Sequence, residues 1–194
     1  MMDRRKFLLA FGAAAILPSV VLPDFIMPGA AMAQEAPSEE MILRRLDAAP
    51  QRQVAPQNRV TINEFKRRPE LRRAAPSIDI QAINFATGSA EIPRSEYRKV
   101  RQIAGAMERI LRRRRAVRFL IEGHTDAVGS AYSNQILSDR RAASLKQVLV
   151  REFGLPARVL DTVGYGEDYL LVPAERDEWR NRRVTLRRID DFVR

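Results

Sequence analysis

From Ser77 to Arg194 the spacing of apolar residues switches between about two and about 3.6, which restricts the fold more than any other property of the chain. Ser77–Phe85 carries Ile78, Ile80, Ala82 and Ile83 and reads as a strand. Thr87-Gly88-Ser89 makes a turn, and Pro93 with Ser95 opens a helix. Val100, Ile103, Ala104, Met107, Ile110 and Leu111 follow at helical spacing, and Arg112–Arg115 suits the helix C-terminus. Val117, Phe119 and Ile121 alternate with Arg118 and Glu122, giving a strand with one buried face. After the loop Gly123–Ser133, a second helix carries Ile136, Leu137, Ala142, Leu145, Val148 and Leu149, and Gly154 stops it. Val159–Val163 and the stretch around Val184-Thr185-Leu186 supply the last strands. The order strand–helix–strand–helix–strand–strand predicts an α/β two-layer sandwich with a mixed sheet.

The segments ahead of Ser77 have a different character. Residues 1–33 read as a signal peptide: Arg4, Arg5 and Lys6 precede an apolar run from Phe7 to Val21, and Ala31-Met32-Ala33 forms a small-x-small cleavage pattern. The string Asp3-Arg4-Arg5-Lys6-Phe7-Leu8-Leu9 resembles a twin-arginine export signal. Pro18, Pro23 and Asp24 interrupt the apolar stretch, so no retained transmembrane helix is expected. Residues 34–76 hold five prolines, one aromatic (Phe65) and no glycine. Glu39–Leu46 and Ile62–Phe65 can form helical turns, but no packed core is expected, and the segment reads as a disordered basic linker that tethers a domain at 77–194.

Composition removes several function classes. The chain has no Cys and a single His, His124, which speaks against disulfide scaffolds, thiolate chemistry and multi-histidine metal sites. The formal net charge is +10, from 34 Lys+Arg against 24 Asp+Glu. It divides as +1 in residues 1–33, +3 in 34–76 and +6 in 77–194, so it marks no nucleic-acid face. No Gly-x-Ser-x-Gly elbow accompanies His124, and the reading is of a binding protein rather than an enzyme.

The loop Gly123-His124-Thr125-Asp126-Ala127-Val128-Gly129-Ser130 leaves the C-terminal end of a strand, where binding sites commonly lie. Asp126 sits in a turn bounded by glycines, and Arg141 follows fifteen residues later, one to two turns into the next helix. Such a pair can grip a zwitterion, the carboxylate taking an ammonium and the guanidinium fork a carboxylate. The two can equally pair with each other and brace the loop. Glu122 and His124 fall on the strand face opposite Ile121, which favours a structural, hydrogen-bonding His124. Asn181, Arg182 and Arg183 are placed to brace the Asp126 loop or the sheet edge. Tyr165, Tyr169 and Trp179 can rim a cleft or pack at an edge.

Ile83-Asn84-Phe85, Gly123-His124-Thr125-Asp126 with Gly129-Ser130, Asn134-x-x-Leu137-Ser138-x-x-Arg141-Ala142, Gly164-Tyr165-Gly166-Glu167 and Asn181-Arg182-Arg183-Val184 occur in that order. Together they resemble the OmpA-like peptidoglycan-binding domain family, over about Ser77 to Ile189. The resemblance implies non-enzymatic binding of the Gram-negative wall stem peptide, without a cofactor, in the periplasm beside the wall or outer membrane. It implies that Asp126 and Arg141 grip diaminopimelate, with Thr125, Thr87 and Gly88 nearby and His124, Asn134, Asn181, Arg182 and Arg183 in support. Ala86 stands where many members carry Asp, and Asp177-Glu178-Trp179-Arg180 replaces a usual Gly-Arg pair. The alternative is a periplasmic module that docks another envelope protein through residues 34–76.

Overall fold

The computed structural model describes residues 36–81, 83–85 and 88–194. The expected signal peptide, Ala86 and Thr87 lie outside them.

Four strands form one mixed sheet in the order β1-β4-β2-β3. They are β1 (Ser77–Ile80), β2 (Phe119–Gly123), β3 (Leu160–Gly164) and β4 (Val184–Arg188). β4 runs antiparallel to both β1 and β2, while β2 and β3 are parallel. The parallel pair needs a crossover helix, and α5 (Ala131–Arg151) supplies it. α5 and α4 (Tyr97–Arg113) lay their apolar stripes on one face of the sheet. There Ile103, Met107, Ile110, Leu145 and Leu149 meet Phe119, Ile121 and Leu186. The mixed α/β architecture follows the sequence pattern, although β1 ends at Ile80, before the expected Phe85.

The reading of residues 34–76 as a disordered linker is corrected. α1 (Glu39–Leu46) delivers Ile42, Leu43 and Leu46 into the same core as α4 and α5. Ser38 caps its N-terminus, acids occupy its first turn and Arg44 and Arg45 its last. α2 (Ile62–Lys66) opens with a capping box between Thr61 and Glu64, and α3 (Pro69–Ala74) has Pro at its first position. Helices this short are unstable alone and stand by burying side chains against a partner. Val60, Phe65 and Leu71 do so against Leu120, Ile189 and Phe192, forming a second core. Since Leu120 and Ile121 point to opposite faces of β2, this core covers the face that a two-layer sandwich leaves open.

Arg188 locks the arrangement from inside. Its side chain is fully buried; Nε donates to the Leu46 carbonyl at 2.8 Å and Nη2 to that of Ala48 at 2.9 Å, while Nη1 meets Asp190 and Asp191. A cation at the end of α1 also suits the helix dipole. Among the described residues every core side chain lies between Ile42 and Val193, so the unit Gln34–Arg194 carries its own core. Leu46→Ala is expected to lower the stability of this unit by about 2–5 kcal/mol in urea denaturation, whereas a solvated linker would give no change.

Candidate binding site

The C-terminal ends of β2 and β3 lie against α5 with no room for side chains. A Cβ on Gly123 would strike the Ser138 carbonyl oxygen, and one on Gly164 would strike Ser138 Oγ and the Asp139 amide. Ser138 uses the closeness: its hydroxyl accepts from the Gly166 amide and donates to the Gln135 carbonyl, both at 2.8 Å. This fixes α5 over the strand ends and sets Arg141, one turn further on, above the loop that leaves β2. The helix begins at Ala131, so Arg141 lies nearly three turns along it, deeper than the sequence spacing suggested.

Asp126 is held from several sides. Its Oδ1 accepts from the Val128 amide at 3.3 Å, and its Oδ2 accepts from Arg182 Nη1 at 2.6 Å. The same Arg182 nitrogen also pairs with Asp177. Asn134 Nδ2 donates to the carbonyls of Asp126 and Val128 and to Glu167 Oε2, which cross-braces the loop. Asn181 is fully buried and ties the segment ahead of it by accepting from the Leu171 and Val172 amides and donating to the Val172 carbonyl. Arg183 joins Asp79 to the carbonyls of Tyr169 and Asn181. Asn134, Asn181, Arg182 and Arg183 therefore occupy bracing positions around the loop.

Arg141 is buried to 6% exposure without any ion pair within 4.0 Å among the described residues. Its Nε donates to the Ser89 carbonyl at 3.1 Å and its guanidinium lies 4.9 Å over the Phe85 ring. Neither terminal nitrogen has a hydrogen-bond acceptor among the described residues. Burial destabilises the Arg141 charge and the neighbouring Arg182 adds to the effect, with Asp126 opposing from a distance. Mutual bracing of Asp126 and Arg141 is thus not what holds either residue. Arg141 lines a cavity of about 160 Å³ with Gln81, Asn84, Phe85, His124, Trp179, Arg182 and Arg183. Three guanidiniums and no carboxylate face it, so the cavity suits an anionic group. Trp179, 48% exposed, forms part of its wall.

Beneath the cavity lies an ionic cluster that the sequence did not disclose. Glu122, with 0% exposure, receives two forked arginines. Arg72 donates to its oxygens at 3.0 and 3.1 Å, and Arg187 does so at 2.9 and 3.1 Å. Burial alone would raise the Glu122 carboxyl, but the charges and forked hydrogen bonds of Arg187 and Arg72 outweigh it and hold the group well below its usual range. The Arg72 guanidinium also stacks 3.7 Å from the centre of Tyr165, whose hydroxyl donates to the Lys66 carbonyl. The one trace of this cluster in the sequence is the alternation that puts Glu122 opposite Ile121.

His124 is 1% exposed and stacks on Tyr165, with Nε2 3.8 Å from Glu122 Oε2, beyond hydrogen-bonding reach. Among the described residues both ring nitrogens lack partners, and the ring packs on Tyr165 rather than making the expected hydrogen bonds. Burial pushes the imidazole below its usual value, Arg183 adds to this and Glu122 opposes it. A base with a depressed folded pKa takes up protons preferentially in the unfolded chain. Stability is therefore expected to fall as pH drops below about 6.5, with a slope of up to about 1.4 kcal/mol per pH unit. Urea denaturation at pH 7.5 and 5.5 measures it; equal stabilities would contradict the burial argument.

Of the remaining expected wall contacts, Thr125 is buried, with its amide on the Gly166 carbonyl and its hydroxyl unpartnered. Gly88 is exposed in a turn with φ +68°. Thr87 lies outside the described residues. Tyr165 packs in the interior, so Trp179 is the aromatic of the three that reaches the cavity.

Outer membrane porin F of Pseudomonas aeruginosa is 33% identical over 104 residues, covering 53% of this chain and 29% of that protein. The peptidoglycan-associated lipoprotein of Pseudomonas putida is 37% identical over 73 residues, covering 37% of this chain and 43% of that protein. The chain thus spans less than half the length of either relative. The crystal structure of the peptidoglycan-associated lipoprotein from Burkholderia pseudomallei aligns with a TM-score of 0.46 at 24% identity, covering 62% of this chain and 95% of that one. The sequence model described as the OmpA family matches residues 84–183, from Asn84 on the cavity wall to Arg183 beside it. That match takes in more than half of the 194 residues, and the chain belongs to the OmpA family.

Proposed function

We propose that this protein binds peptidoglycan without cleaving it, gripping the diaminopimelate of the stem peptide and tethering an envelope component to the wall. The observation that carries the reading is Arg141: a buried guanidinium, unpaired at both ends of its fork among the described residues, facing a small cavity that Arg182, the partner of Asp126, also lines. A carboxylate entering there forms two parallel charge-assisted hydrogen bonds and relieves a charge that burial and Arg182 destabilise. Asp126, one of whose oxygens is already held by Arg182, offers its other oxygen and residual charge to the ammonium of the same amino acid. Relatives named peptidoglycan-associated lipoprotein support the ligand class. In this reading residues 1–33 are a twin-arginine-type signal that sends the chain to the periplasm.

The alternative docking role for residues 34–76 has less to stand on, because Ile42, Leu46, Phe65 and Leu71 are used in the protein's own cores. Deleting that segment would strip both cores, so it does not separate the readings. Cosedimentation of the unit 34–194 with purified wall sacculi does. The protein is expected in the pellet and released by free diaminopimelate; protein left in the supernatant would overturn the reading.

A further inference from the structure

At the other end of β2, away from Arg141, lies a second cleft of about 420 Å³. Its walls come from the turn after α4, from Arg59 beside the Val60–Val193 bridge, and from Arg194. Arg59, Arg114, Arg115, Arg118 and Arg194 line it against two carboxylates, Asp190 and Asp191. Both carboxylates are already engaged by the buried Arg188, at 3.0 and 2.8 Å. Arg114 leans on Asp47 at 3.3 Å, and Arg118 on Asp161 at 2.8 Å. Arg59 and Arg115 have no carboxylate within 4.0 Å among the described residues.

The Nε groups of Arg59 and Arg118 are shielded from solvent and donate to nothing among the described residues, so either side chain gains an acceptor by turning toward an anion in the cleft. A buried donor left unsatisfied costs about 1–3 kcal/mol, more when charged, so native proteins rarely retain one without a reason. Arginine forks match phosphate oxygens in geometry, and a phosphoryl group, singly charged as a diester and about doubly as a monoester, offsets part of the side-chain surplus of five cations over two anions.

We propose that this cleft is a second binding site, for a phosphoryl group, with Arg59 and Arg115 as its free ligands and Arg118 beside them. It is independent of the wall-binding reading. The five residues of β2 separate it from the Arg141 cavity by roughly 17 Å, so both sites can be filled together. The phosphoryl group comes either from a lipid headgroup or from a soluble phosphorylated compound.

The test uses the unit 34–194 at about 0.15 M ionic strength, where loose surface attraction is largely screened. The probes are inorganic pyrophosphate and phosphatidylcholine vesicles with or without phosphatidylglycerol. Saturable binding is expected, weakened tenfold or more in R59Q/R115Q and unchanged in Arg141→Ala. Neither Arg59 nor Arg115 has an ion-pair partner to orphan among the described residues, and R115Q alone, at an exposed position, checks the result with a smaller loss. Binding confined to phosphatidylglycerol vesicles assigns a lipid headgroup; binding of pyrophosphate assigns a free phosphate. No binding in either arm, or equal binding by R59Q/R115Q, overturns the proposal.

Discussion

Arg141→Ala is expected to weaken binding to wall sacculi by about tenfold to more than a hundredfold, the equivalent of about 1.5–3 kcal/mol for a lost charge-assisted contact. The size of the effect follows from the state of the free protein. Arg141 is buried, its Nε alone is anchored, and no carboxylate neutralises it. Its charge is held ready for an incoming anion at little cost in reorganisation, which is where a hydrogen bond contributes most to affinity. Arg141→Lys should recover little, since an ammonium lacks the fork that meets both carboxylate oxygens. The fold should tolerate either change, because among the described residues Arg141 donates only to the Ser89 carbonyl. An unchanged pelleted fraction for Arg141→Ala would remove Arg141 from the site.

Glu122→Gln is expected to be the most damaging single change to stability. It keeps the shape but removes the charge that two buried, forked arginines share. Breaking a buried pair in this way costs about 3–5 kcal/mol, a large share of the roughly 5–15 kcal/mol that holds a typical domain together. For a domain of this size the melting temperature should fall by on the order of 6–20 °C. Acid should act on the same group. The folded pKa of Glu122 is depressed, so its contribution is present above the unfolded value of about 4.3 and is lost as pH falls below it. A calorimetric scan of Glu122→Gln that matches the unmodified protein would show that the cluster is not structural.

The contrast between what could and could not be read from the sequence is physical. α4 and α5 were legible because seventeen and twenty-one residues give an apolar stripe room to repeat. α1, α2 and α3 have eight, five and six residues, too few for a period to declare itself. Their caps at Ser38, Thr61 with Glu64, and Pro69 matter only when a core waits for the helix. That core depends on Leu120 and Phe192, far along the chain. At the site, Asp126 and Arg141 stood out as opposite charges at the mouth of a glycine-bounded loop. Arg182 was read as a brace of the Asp126 loop, and its Nη1 meets Asp126 Oδ2, whereas nothing local told that Arg72 would reach Glu122 across fifty positions. Trp179 was noticeable as the lone tryptophan, and the cavity explains its position.

The central claim is that the Arg141 cavity with Asp126 recognises a side chain bearing both an ammonium and a carboxylate. Titration calorimetry of the unit 34–194 with two stem tripeptides, identical except for diaminopimelate or lysine at the third position, tests it most directly. The account predicts saturable binding of the diaminopimelate peptide, with the lysine peptide at least about tenfold weaker for want of the carboxylate. Equal affinity for the two peptides, or binding of neither, would contradict it.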